Sequence, residues 1–128
     1  MPQVTIQTSG NLRRLDPDWL MLQVNRTLLN SGLFVEADLK IRVLRCDEFR
    51  IGADQFDPAF HGFVAVTVAV LSGRDFTVRE RLGQMVQRTV ERCVQECAQS
   101  MQVQVTTEVV EIQPEMYFKT VLGGSSPA

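Results

Sequence analysis

Pro2 follows Met1 and heads the alternating stretch Gln3-Val4-Thr5-Ile6-Gln7. A residue as small as proline in second place predicts removal of the methionine, which leaves a chain that begins with a secondary amine. That amine is rigid, because its nitrogen is locked in the pyrrolidine ring. A free α-amino group titrates at about 7.7–8.0 in the absence of neighbours. A nearby guanidinium or a dry pocket disfavours the ammonium form and lowers that value. A proline amine at the head of a strand is therefore a candidate general base working near neutral pH. The cations available to stand beside it are unusual in kind. Eleven of the thirteen basic residues are arginine, and only Lys40 and Lys119 are lysine. The planar arginine fork takes a carboxylate in bidentate fashion, which hints at anionic ligands.

The other reactive side chains form no familiar site. Cys46, Cys93 and Cys97 are odd in number and lack the spacing of a disulfide framework. Cys93 and Cys97 stand one helical turn apart, where small apolar side chains serve packing. A zinc site built from the three cysteines and His61, the sole histidine, would have no C-x-x-C pair, so no metal is expected. One histidine and no G-x-S-x-G leave no serine triad, and no Gly-rich phosphate loop is present. A formal net charge of −2 and a pI of about 5.4 argue against nucleic-acid binding through bulk electrostatics. No apolar run is long enough to span a bilayer, and no signal-peptide pattern opens the chain. A cytoplasmic protein without membrane or nucleic-acid partners is the expectation.

The elements that must position these residues follow from periodicity. A first strand runs from about Gln3 to Thr8 and is broken by Ser9-Gly10-Asn11. Asp16 and Pro17 open a helix as N-cap and first-turn proline. Leu20, Val24 and Leu28 form its buried stripe, and Gly32 stops it. A second strand spans about Leu39 to Phe49, with Leu39, Ile41 and Val43 on one face and Lys40, Arg42 and Leu44 on the other. The polar stretch from Arg50 to Pro58 reads as a loop. A third strand, Gly62 to Leu71, places Val64, Val66, Val68 and Val70 together. Ser72-Gly73-Arg74-Asp75 ends it, and Thr77 to Glu80 fits a capping box. The helix continues to about Ser100, with Val78, Leu82, Met85, Val86, Val90, Cys93, Val94 and Cys97 at three- and four-residue steps. A fourth strand runs from Val103 to Ile112.

The order strand–helix–strand therefore occurs twice. Ser9-Gly10 and Ser72-Gly73 mark the same point in each half, which suggests a pseudo-repeat of about sixty residues. Each crossover is long, so the two strands that it joins are expected to be parallel. At 128 residues and 45% hydrophobic content the chain suits one α+β domain over residues 1–122. Its units would cover about 2–49 and 60–112, and residues 123–128 would form a loose tail. A four-stranded sheet would carry both helices on one face. Strands three and four together carry valine on both faces, so the second face is expected to be covered, most simply by a symmetric oligomer.

These residues, in order, resemble the tautomerase superfamily, in which an N-terminal proline is the base, and are most similar to its 5-carboxymethyl-2-hydroxymuconate isomerase branch. The likeness extends over nearly the whole chain. It rests on Met1-Pro2, Val24-Asn25, Ser31-Gly32-Leu33-Phe34, Arg42-Val43, Asp47, Ala59-Phe60, Ser72-Gly73-Arg74, Pro114 and Phe118-Lys119. The resemblance implies two β-α-β units per subunit and a homotrimer whose sheets form a barrel-like core. It also implies no cofactor, no metal, and a proton shift in an unsaturated 2-oxo or hydroxymuconate-type dicarboxylate. Pro2 matches the catalytic proline. Arg74 matches the arginine that binds a substrate carboxylate, and Arg42 the strand arginine that polarises the substrate oxygen. Lys40 departs from the arginine usual there; it keeps the charge at a substrate-binding position and loses the fork. Asn11, the first-half counterpart of Arg74, supplies no second anionic clamp. Phe34 and Phe118 are candidates for drying the site. Without the family, Arg74 is a cation at a helix start, where the dipole opposes it, and Arg42 a strand residue free to pair with an acid. A trimer that keeps this fold and merely binds an anion or a partner protein is the alternative.

Overall fold

The computed structural model describes residues 1–124, so the end of the expected tail, 125–128, lies outside the described residues. Four strands and two helices alternate as β1 (Gln3–Ser9), α1 (Pro17–Asn30), β2 (Lys40–Cys46), β3 (His61–Leu71), α2 (Phe76–Ala98) and β4 (Gln102–Ile112). Short 3-10 turns at Glu36–Asp38 and Pro114–Met116 precede β2 and follow β4. The sheet order is β2-β1-β3-β4. β1 pairs parallel with β2, and β3 parallel with β4, as long crossovers require. The two units join antiparallel through β1 and β3.

Local chemistry accounts for most boundaries. Asp16 caps α1, its carboxylate accepting the Asp18 N–H at 3.1 Å, and Pro17 fills the first turn where its missing N–H costs nothing. Two boundaries differ from the expected ones. β2 stops at Cys46 rather than near Phe49, because its partner β1 ends at Ser9 and the Gly10 N–H closes on the Cys46 carbonyl at 2.8 Å. Beyond that point there is no strand to pair with. α2 starts at Phe76, two residues before the capping box implied. The turn at Gly73 (φ 123°) brings the chain round early, and the Asp75 carbonyl accepts the Arg79 N–H at 3.1 Å. Thr77 is thus already inside the helix, and no side chain caps it.

Both helices lie over one face of the sheet. Val4 and Ile6 of β1 and Val64, Val66, Val68 and Val70 of β3 are buried beneath Leu20, Val24 and Leu28 of α1 and Leu82, Val86 and Val90 of α2. The helices are joined by a 2.6 Å hydroxyl–hydroxyl bond between Thr27 and Thr89; one donates across it, and the other is left to donate to the carbonyl one turn back on its own helix. At Gly83 the helix comes so close to β4 that a Cβ would stand 3.0 Å from a methyl of Val109.

The second sheet face is less apolar than expected. All four β3 valines point to the helices, so that strand's other face offers Phe63, Ala65, Thr67, Ala69 and Leu71, and β4 adds Val110 and Ile112. Across the four strands the register aligns Arg42, Thr5, Thr67 and Glu108 in one row. Among the described residues no helix is long and apolar enough to cross a membrane.

Candidate active site

The topology gathers four chain segments at one end of the sheet. Gln3 pairs with Lys40 on one side and Ala69 on the other, so the start of β1, the start of β2 and the end of β3 lie together. The Ser72 N–H reaches the Ile112 carbonyl at 2.9 Å, which brings the segment after β4 to the same end. Pro2 is buried there, and its carbonyl accepts the Lys40 N–H at 3.3 Å. Gly73, at a φ that residues with side chains rarely adopt, turns the chain so that Arg74 faces inward. The Arg74 guanidinium lies 5.0 Å from the centre of the Phe34 ring and donates to the Leu33 carbonyl at 3.4 Å.

This end is rich in charge. The terminal amine, on Met1 in this structure, lies 3.8 Å from Asp38 Oδ2. The other oxygen of the same carboxylate accepts from Lys119 Nζ at 3.0 Å. The Lys40 ammonium donates to the Ala37 carbonyl. Burial holds the amine below its ordinary value of 8.0; Asp38 opposes that, while Lys119, Lys40 and Arg74 add to it. The hydrogen bond from Lys119, with the amine close by, keeps the Asp38 carboxyl below its ordinary 3.8. Loss of Met1 would move the free amine one residue along, about 3.8 Å. An amine in this setting is biased toward its neutral, proton-accepting form, and the surrounding cations suit an anionic molecule.

The sequence model of the 5-carboxymethyl-2-hydroxymuconate isomerase family matches residues 2–121. The chain belongs to that family. It is a tautomerase-type isomerase. It is 27% identical over 120 residues to the 5-carboxymethyl-2-hydroxymuconate Delta-isomerase of Escherichia coli, covering 93% of each chain. A crystal structure of a 5-carboxymethyl-2-hydroxymuconate isomerase from Deinococcus radiodurans R1 shares its fold, with a TM-score of 0.84 and 20% identity over 93% of this chain and 88% of that one. A fused 4-OT symmetric trimer shares the fold more distantly, with a TM-score of 0.61 and 10% identity over 87% of this chain and 85% of that one.

Within this isomerase, Lys40 meets Pro2 through the main chain, and Arg74 stands at the same end of the sheet against Leu33 and Phe34. Arg42 stands apart from the charges that act on the amine. It points onto the open sheet face, where Nη2 donates to Gln3 Oε1 at 2.7 Å, and so is drawn back toward the residue next to Pro2. Of the two aromatic candidates, Phe34 meets the site through Arg74, whereas Phe118 is 86% exposed. Sequence reasoning missed two residues. Lys119 was visible only as part of the Phe118-Lys119 likeness, and nothing in the spacing marks Asp38, 81 positions earlier. Asn11 sits at the opposite end of the sheet, its amide donating to the Pro58 and His61 carbonyls at 2.7 Å each, and so ties the 47–60 loop to β3. A groove of about 560 Å³ between α2 and β4, lined by Phe76, Gly83, Gln87 and Val109 among others, contains none of the four expected residues. Burial pushes the Cys93 and Cys97 thiols up, as befits packing groups. Among the described residues no three His, Cys, Asp or Glu side chains gather as metal ligands.

Proposed function

We propose that the isomerase moves a proton between carbons of an unsaturated 2-oxo or 2-hydroxymuconate-type dicarboxylate, with the amine of Pro2, freed by removal of Met1, as the base. The observation that carries this reading is the buried Pro2 at the end of the sheet that also holds Lys40 and Arg74; the pKa of the Met1 amine next to it is already lowered, first by desolvation, although Asp38 opposes the shift. The neutral nitrogen takes a proton from a carbon or an enol oxygen and returns it at a different carbon, so no atoms are gained or lost. The intermediate is a dienolate with its charge on the former carbonyl oxygen. Arg42 stabilises that oxygen. Arg74, held against Phe34 and Leu33, fixes a carboxylate, and Lys40 adds a second positive charge near the amine. No cofactor is required for such a step.

A homotrimer is part of the same proposal. The open sheet face mixes alanine, threonine, Phe63, Val110 and Ile112 with single charges, a surface suited to another sheet. The fold likeness to the fused 4-OT symmetric trimer supports it.

Intact mass of the purified protein is the first test: a chain that retains Met1 has no free proline amine, and the proposal fails. The second is the ultraviolet enol-to-keto assay on 2-hydroxymuconate. Pro2→Ala is expected to lower the rate by roughly 10²–10⁴-fold, the usual worth of a general base. A rate equal to wild type removes Pro2 from the reaction.

A further inference from the structure

The two oxygens of Asp38 address two different cations. One faces the amine of Met1, the residue before Pro2, at 3.8 Å, and the other holds Lys119 at 3.0 Å; two residues on, Lys40 is bonded to the Pro2 carbonyl. Lys119 comes from the segment after β4, whose neighbours Phe118, Val121 and Leu122 are all more than four-fifths exposed. The ion pair itself is partly open to water, and such pairs add little to stability. Its position at the amine is therefore more informative than its strength. An ammonium has three N–H donors; Asp38 takes one from Lys119, which leaves two for another acceptor.

The neighbouring cations point the same way. Lys40, Arg74 and Lys119 all act on the Met1 amine, so all three stand at this end of the sheet. Arg74 and Lys40 already serve one carboxylate in the function proposed above, and Lys119, with N–H donors to spare, is a further cation for a second. We propose that Lys119 is a substrate-binding cation that selects for the second carboxylate, and that Asp38 is the positioning residue that holds it at the amine. The inference rests on the function proposed above and adds the residues that set its substrate class.

The test uses the full-length protein with two probes, 2-hydroxymuconate as dicarboxylate and the enol of phenylpyruvate as monocarboxylate. Losing a charged hydrogen bond to substrate costs about 1.5–3 kcal/mol, so Lys119→Met should raise the ratio of the two KM values (dicarboxylate over monocarboxylate) roughly ten-fold or more. Lys119→Arg should restore most of it. The pH profile of kcat/KM separates the two roles. Asp38 favours the ammonium, so Asp38→Asn should move the acidic limb to lower pH. Lys119 disfavours it, so Lys119→Met should move the limb to higher pH. A KM ratio unchanged by Lys119→Met, or limbs that stay put or move together, overturns the inference. Pro2→Ala is run beside them. If it matches wild type, the base assignment falls and takes this premise with it. If it is inactive while Lys119→Met leaves the ratio unchanged, only the role of Lys119 falls.

Discussion

Pro2 is held by main chain on both flanks rather than by a side-chain latch. Its carbonyl is bonded to Lys40, and the next residue is paired on both sides. The nitrogen's position therefore survives changes to nearby side chains, and such changes should alter its charge state instead. Burial already lowers the pKa of the Met1 amine, and Pro2 is the more buried of the two, so the acidic limb of kcat/KM for a Pro2 base should fall below pH 8.0, with activity rising as pH increases through it. A limb at or above 8.0 in a steady-state profile contradicts that setting. Arg74 combines a ring contact with a carbonyl bond and still has N–H donors for a carboxylate, which the planar fork takes in bidentate fashion and an ammonium does not. Arg74→Lys should thus lose most of what Arg74→Ala loses, a rise in KM for a dicarboxylate of roughly ten-fold or more, read by initial rates. Legibility at this scale followed chemistry that is local in sequence. Met1-Pro2 and Ser72-Gly73-Arg74 announce themselves by neighbouring residue types. The Asp38–Lys119 pair does not, because its members belong to opposite halves of the chain and meet only once both units have docked.

At the scale of elements, the strand–helix–strand order, the parallel pairing and both buried stripes were readable, since periodicity and crossover length dictate them. The boundaries that shifted were set by partners. β2 ends where β1 stops offering bonds, and α2 begins where a glycine turn lets it. No short-range pattern carries that information. Two substitutions probe the elements directly. Asp16→Ala removes the cap of α1 and should cost about 1 kcal/mol in urea unfolding. Gly83→Leu forces a side chain into the contact with Val109 and should cost about 1–3 kcal/mol. The second change also pushes α2 away from the sheet, and with it the turn that carries Arg74. KM should therefore rise in Gly83→Leu and not in Asp16→Ala.

At the scale of the whole molecule, the two faces of the sheet are unequal. One is sealed by helices, while the other presents a mixed band bounded by β2 and β4, both of them edges. Expecting valine on both faces overstated the apolar character of that band, because β3 spends all four of its valines on the core. Sedimentation equilibrium should give three times the 14.4 kDa chain mass, and Val110→Asp should shift it toward one. A wild-type mass of 14.4 kDa at micromolar concentration would refute the trimer.

The central place of β1 has a kinetic consequence. This strand precedes β2 and β3 in the chain, yet one of its two partners is β3, which extends to Leu71. During synthesis β1 must wait on the ribosome until β3 has emerged. A protein interrupted before that point can contain Pro2 and Arg42 and still lack the sheet that seats them, because β1 is flanked on one side by a strand of the second unit.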